Sequence, residues 1–171
     1  MNRPARWVTR PEGHSDAETV RDINLAAFET AEEADLVASL RIDDSWIPGL
    51  SIITETLAGK PVGYALLTRC HIGDVPAVGL GPCAVLPEYQ CTGAGSAAIR
   101  HALDSARRLS EKYAVVLGHA EYYPRFGFLP ASKFGIGLPI EVPDEAFMAL
   151  ALDESAELPE GIVRYASPFG V

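Results

Sequence analysis

Cysteine is scarce in this chain and poorly spaced. Cys70, Cys83 and Cys91 are the only three in 171 residues, an odd number with no C-x-x-C pair, so neither a disulfide framework nor a zinc site can be read from them. A reducing, cytoplasmic setting is the expectation. The four histidines, His14, His71, His101 and His119, share no metal-ligand spacing, and no metal is expected. Basic charge is also short: 14 Lys and Arg stand against 23 Asp and Glu, a formal net of -9. Phosphate backbones are bound by clustered cations, so nucleic acid is not an expected partner. An acidic protein suits cationic small molecules, although net charge is first of all a solubility property. No window approaches the roughly 18 apolar residues of a membrane span, and the three arginines before Gly13 are followed by no apolar stretch. The expectation is an unprocessed chain with no membrane segment. Repeats and low-complexity tracts are absent too.

What remains is globular. With 48% apolar and 22% charged residues, neither disorder nor a fibrous repeat fits, and residues 1–171 are expected to fold as a single domain burying roughly 70% of the unfolded surface. Trp7 to Arg10 reads as a strand. Ser15 or Asp16 can cap a helix to about Glu29, with Val20, Ile23, Ala27 and Leu25 as its apolar face. A second helix covers Glu32 to Ile42 and ends at Trp46-Ile47-Pro48-Gly49. Leu50 to Leu57 and Val62 to Ile72 form an antiparallel hairpin. The following strand, Ala77 to Leu86, contains Gly79, Gly81 and Pro82, which predict a bulge or irregular edge. A loop from Pro87 to Gly95 leads to a helix over Ser96 to Ser110, with Ile99, Ala102, Leu103 and Ala106 on one face. Tyr113 to Gly118 is a buried strand, making a parallel β-α-β crossover. Glu121 to Arg125 reads as a short helix, and Gly127 to Ala131 and Phe147 to Leu152 as closing strands.

The chemistry concentrates in Val85-Leu86-Pro87-Glu88-Tyr89-Gln90-Cys91-Thr92-Gly93-Ala94-Gly95-Ser96, a strand end running through a glycine-bearing loop into a helix. That arrangement aims unpaired backbone N–H groups and the positive end of a helix dipole at one point, which suits a phosphate. Gly93 and Gly95 would let a diphosphate approach the main chain. No Gly-Lys-Ser/Thr follows and the third glycine of the dinucleotide fingerprint is missing, so neither a nucleotide P-loop nor a Rossmann site is present. Without a wider context, two glycines and a helix start are merely a loop.

The wider context is the Gln/Arg-x-x-Gly-x-Gly/Ala signature carried by Gln90 to Gly95, with Val85-x-Pro87 upstream and Tyr122-Tyr123-Pro124-Arg125-Phe126-Gly127-Phe128 downstream. In these motifs, and in its order of elements over residues 7 to 152, the chain resembles the GNAT superfamily of acyl-CoA-dependent N-acetyltransferases. From Leu80 to Ile136 it looks like a bacterial subgroup of predicted N-acetyltransferases, with one departure: position 91, often glycine there, is cysteine. The resemblance implies an α/β fold of GNAT type, a mixed central sheet flanked by helices. It implies acetyl-CoA as donor, with the amides of Gln90, Cys91, Thr92, Gly93, Ala94, Gly95 and Ser96 around the pyrophosphate and Ala84 and Val85 on the pantetheine arm. Arg100 is either a contact of the 3'-phosphate or a surface arginine. The family's tyrosine four residues before the glycine is Tyr123, which would protonate the departing thiolate; Tyr122 would pack.

The acceptor implied is an amine, on a small molecule or a peptide. His119 and Glu121 are the candidate bases, with Glu55 as a third. Cys83 and Cys91 have no His and Asp/Asn arrangement to activate them, so direct attack without a covalent intermediate is expected. A non-catalytic acyl-CoA-binding regulatory module on the same fold is the alternative, and a homodimer is the commonest assembly. Glu141 to Gly161 carries seven acidic residues and no basic one. It is either a solvated stretch or an attractor of amines bearing extra positive charge.

Overall fold

The computed structural model describes residues 6–171, leaving Arg3 of the N-terminal arginines outside. In chain order the elements are β1 (Trp7–Pro11), α1 (Ala17–Ala27), α2 (Glu32–Arg41), β2 (Trp46–Thr56), β3 (Pro61–Ile72), β4 (Val75–Val85), α3 (Ala94–Arg108), β5 (Tyr113–Leu117), β6 (Leu129–Pro130), β7 (Ile136–Gly137), β8 (Phe147–Ala151) and β9 (Gly161–Arg164). The strands run in the order β1-β2-β3-β4-β5-β8-β6, with β9 paired to β3 and β7. All neighbours along that path are antiparallel except β4 and β5. That parallel pair is the predicted crossover through α3.

The sheet is covered on both faces. Apolar residues of β3 alternate, Ala65 and Leu67 toward α3 and Tyr64 and Leu66 toward α1 and α2, so the strand reads as a near-continuous hydrophobic run. On the α3 face Ile99, Ala102, Leu103 and Ala106 are buried as their spacing predicts. On the other face α1 contributes Val20 and Ile23, and α2 contributes Val37 and Leu40. Leu25, assigned to the apolar face of α1, is instead 40% exposed.

Several boundaries move for physical reasons. Trp46 to Gly49 does not merely end α2: it opens β2, where the partner of Trp46 is Thr68 and that of Ser51 is Leu66, a wide bulge that absorbs Pro48 and Gly49. The side chain of Asp16 does not cap α1. Its carboxylate accepts from the Gly13 amide at 2.6 Å and from both terminal nitrogens of Arg10 at 2.6 and 3.0 Å. These bonds hold it at about 2, below the usual carboxylate value. The α3 helix begins two residues before Ser96, at Ala94. The segment after β5 is a 3-10 turn, Tyr123–Phe126, and the strand predicted over Gly127 to Ala131 shrinks to β6.

The feature that matters most for the site lies in β4. Ala65 pairs with Cys83 and Leu67 with Leu80, so Gly81 and Pro82 together oppose Leu66 in the predicted bulge. An extra residue reverses the period-2 alternation. Val78 and Leu80 face α3, and beyond the bulge Cys83 does so while Ala84 faces α1 and α2.

Candidate active site

Parallel pairing of β4 with β5 consists of Val78 with Ala114, Gly79 with Val115 and Leu80 with Val116. Beyond that point β4 stays with β3 up to Val85, whereas β5 stays with β8 up to Leu117. The two strands therefore part after Leu80 and Val116. The edge of β4 from Gly81 to Val85 that faces the opening has no strand partner, and its backbone polar groups are free to pair with an extended ligand.

At the wide end of this opening sits the start of α3. Gly93 occupies the N-cap position at φ +94°, a left-handed backbone that suits glycine, and no side chain caps the helix. The Ala97 amide reaches the Gly93 carbonyl at 3.0 Å, so the amides of Ala94, Gly95 and Ser96 lack a partner within the helix. The first turn carries no acidic side chain. Thr54, buried on β2, donates from Oγ1 to the Ala94 carbonyl at 2.9 Å and fixes this end of the helix to the sheet. Thr92 donates to the Tyr89 carbonyl, closing the loop before the helix. Gln90 Nε2 donates to the Val85 carbonyl at 3.2 Å, so Gln90 braces the strand end and occupies one carbonyl assigned to a ligand. Cys91 has φ 60°, which explains why glycine is favoured at this position.

The two tyrosines divide between the loop and the opening. Tyr122 Oη lies 2.8 Å from Ser96 Oγ, and a Cβ added to Gly95 would sit 3.8 Å from that hydroxyl. Tyr122 packs against the α3-side core, Tyr123 and Phe126, as its sequence role suggested, and its hydroxyl also adjoins the first turn of α3. Tyr123 lies against Gly118, where an added Cβ would fall 2.4 Å from its ring. Its hydroxyl meets the Cys83 thiol at the parting of β4 and β5. Burial, then the neighbouring Cys83 and Tyr122, push Tyr123 well above the ordinary phenol range. Burial likewise pushes the Cys83 thiol up to about 12, which leaves it protonated and poorly nucleophilic. The phenol holds its proton over the physiological range.

His119 and Glu121 are exposed beyond the end of β5 and border a hollow with Tyr122, Arg125 and Glu145. Glu55 lies on β2, two strands from β4, and accepts from Arg10 Nε at 2.7 Å. Arg125 stacks over Tyr122 with its guanidinium 4.3 Å from the ring centroid, and Arg100 over Phe126 at 5.2 Å, two cation–π contacts. Among the described residues no cluster of three or more His, Cys, Asp or Glu could hold a metal, and no helix is long and apolar enough to cross a membrane.

On the opposite face the same opening meets a cavity of about 320 Å³. Leu80, Gly81, Pro82 and Leu117 form the side toward the opening, and segments from α2, the stretch after β7 and the C-terminus close the rest. Nothing in the sequence marked this cavity, because its walls come from segments far apart in the chain.

A profile of the acetyltransferase (GNAT) family matches residues 17–128. An uncharacterized N-acetyltransferase of Escherichia coli K12, YjhQ, is 40% identical over 162 residues, covering 90% of this chain and 89% of its own. The crystal structure of the E. coli GNAT family N-acetyltransferase YhbS in complex with CoA superposes at a TM-score of 0.90 and 26% identity, covering all of this chain and 96% of its own. A Brucella melitensis GNAT acetyltransferase solved with acetyl-CoA gives 0.78 and 28%, covering 95% of this chain and 97% of its own. The profile match from Ala17 to Phe128, together with the 40% identical relative over 90% of the chain, places the chain in the acetyltransferase (GNAT) family.

Proposed function

We propose that the protein transfers an acetyl group from acetyl-CoA to a primary amine by direct attack. The observation that carries this reading is the meeting of three features at one opening: the free amides of Ala94 to Ser96, the unpaired edge of β4, and the Tyr123 hydroxyl beside Cys83. Amides from Cys91 to Ser96 hold the pyrophosphate through charge-assisted hydrogen bonds. The free edge of β4 near Ala84 pairs with the pantetheine arm as a strand would. Arg100, in the second turn of α3, meets the 3'-phosphate on this reading.

In the chemical step the amine nitrogen adds to the thioester carbonyl, the C–S bond breaks, and the thiolate takes a proton from Tyr123. The raised phenol is still protonated when the thiolate forms, so its hydrogen bond stabilises the leaving group, and the proton released by the amine balances the one the thiolate takes. His119 and Glu121, both open to solvent, pass the acceptor's proton away. Glu55 is engaged by Arg10 and takes no part. Cys83 forms no acyl intermediate, because a thiol held near 12 supplies little thiolate.

The experiment is calorimetric titration with CoA joined to free-thiol detection over an amine panel. Micromolar binding and amine-dependent thiol release are expected. Binding without turnover of any amine would turn the reading toward an acyl-CoA-binding module, and absence of CoA binding would overturn it altogether.

A further inference from the structure

Resting on the acyl-transfer reading, we infer that the cavity on the α1–α2 face selects a primary amine carried on an apolar body, with Glu33 as the partner of its ammonium group. The cavity's walls include Phe28, Leu36, Leu138, Ile140 and Phe169, and Glu33 is the one side-chain carboxylate among its lining residues. Glu33 Oε2 is buried without any hydrogen-bond partner among the described residues. Neighbouring cations are taken: Arg21 pairs with Asp35 and Arg41 with Glu12. A buried carboxylate oxygen without a donor is costly, and here the space it faces is a ligand-sized cavity. The donor it lacks is one that a bound ammonium would bring.

The remaining walls set the rest of the molecule. About 320 Å³ lies at the small end of ligand sites, roughly 300 to 1,000 Å³, which suits a compact monoamine. Tyr165 also lines the cavity, its ring packed against Phe169. A second positive charge on the acceptor would have to lose its water against Leu36, Leu138 and Phe169 with no second acidic side chain to receive it, an unfavourable transfer. The acidic residues of Glu141 to Glu160 do not supply one, since none of them lines this cavity. The selected class is therefore apolar monoamines, in contrast to the polycationic amines that net charge alone suggests.

The test compares phenethylamine with spermidine in kcat/KM for the wild type, Glu33→Gln and Ile140→Glu, with acetyl-CoA affinity measured on each by calorimetry. Wild type should favour phenethylamine by about tenfold or more, and Glu33→Gln should raise its KM by about tenfold or more through loss of a charged hydrogen bond. Ile140 is 44% exposed at the cavity, so Ile140→Glu keeps the fold and should narrow the preference by admitting a second cation. Equal or better use of spermidine by the wild type, or an unchanged KM in Glu33→Gln, overturns the inference while leaving acetyl transfer standing. Failure of acetyl-CoA to bind the wild type overturns both.

Discussion

On the α3 face, nearly every group around the opening comes from two short stretches, Gln90 to Ser96 and His119 to Phe128, with Cys83 as the addition from β4. On the α1–α2 face the cavity is assembled from Phe28, Glu33, Gly81, Leu117, Ile140 and Phe169, each from a different part of the chain. A pyrophosphate is the same on every CoA and can be met by backbone amides, which depend on local conformation rather than on side-chain identity. An acceptor is met by side chains, and those on this face can be changed without disturbing the loop that meets the donor. On the proposed reading the two halves of the reaction fall to regions with different sequence constraints, and their independence is open to experiment.

The largest effect should come from Gly95→Val. A Cβ there already falls 3.0 Å from Val85 Cγ2, and a branched side chain would also stand between ligand and amides. With charge-assisted hydrogen bonds at roughly 1.5–3 kcal/mol each, CoA affinity should fall by about 10²-fold or more. Calorimetry checks this beside a thermal melt that confirms folding. Unchanged CoA affinity in the folded variant would separate the donor site from α3.

Next is Tyr123→Phe, expected to lower kcat by about 10²-fold while leaving acetyl-CoA affinity nearly intact. Because its phenol is raised above the ordinary value, kcat of the wild type should show no alkaline fall as pH rises to about 10. Tyr122→Phe removes only the contact with Ser96 and should raise KM for acetyl-CoA by less than about tenfold, with kcat little changed. Equal losses of kcat in the two variants would reject the division of labour between the tyrosines.

Asp16→Asn probes the other face, because Asp16 ties the start of α1 to Arg10. Its carboxylate lies below its unfolded value, so it contributes stability above about pH 4 that is lost as pH falls through about 2. The solvent near Arg10 screens the pair, and a loss of about 1 kcal/mol is expected at neutral pH, a drop of roughly 2–4 °C in Tm. CoA affinity should not change. A variant that melts like the wild type at pH 7, or one that loses CoA binding, would break the comparison between the faces.

The smallest effect concerns the acidic stretch. Glu154 and Glu157 border a hollow with Arg107, Glu145 borders the one with His119, and Glu141 and Asp144 lie near Phe147. Charges so dispersed are screened beyond about 8 Å at physiological ionic strength. The ratio of kcat/KM for spermidine and phenethylamine should therefore shift by less than about twofold between low and high salt. A larger shift would give the stretch a part in choosing the acceptor.

The difference between the faces also explains what could be read in advance. The bulge at Gly81-Pro82, the crossover through α3 and the loop at Gly93 each follow from neighbouring residues, and the motif from Gln90 to Gly95 named the family. The strand at Trp46 was hidden because Pro48 and Gly49 look like a helix end, and only pairing with β3 holds them in a bulge. The closing strand β9 is four residues long and acquires meaning through His71 and Ile72, some ninety positions earlier. Glu33 sits among other acidic residues at the start of α2 and has no local signal at all. Its isolation inside a cavity arises when the C-terminal segment brings Phe169 against the same space.

The bulge in β4 carries a consequence for how this chain can change length. Before it, even-numbered residues serve one compartment; after it, odd-numbered residues do, so the strand works as a parity shift between two rooms. Deleting Gly81 and Pro82 together would exchange Cys83 with Ala84, sending a sulfur into the α1–α2 core and a methyl under Tyr123, whereas deleting one of them restores the alternation and leaves both on their present sides. The surface turns at Gly59 and Gly73 can lengthen without such an exchange. The most conspicuous irregularity in the sheet is thus the place where β4 can lose one residue, but not two, without exchanging its sides.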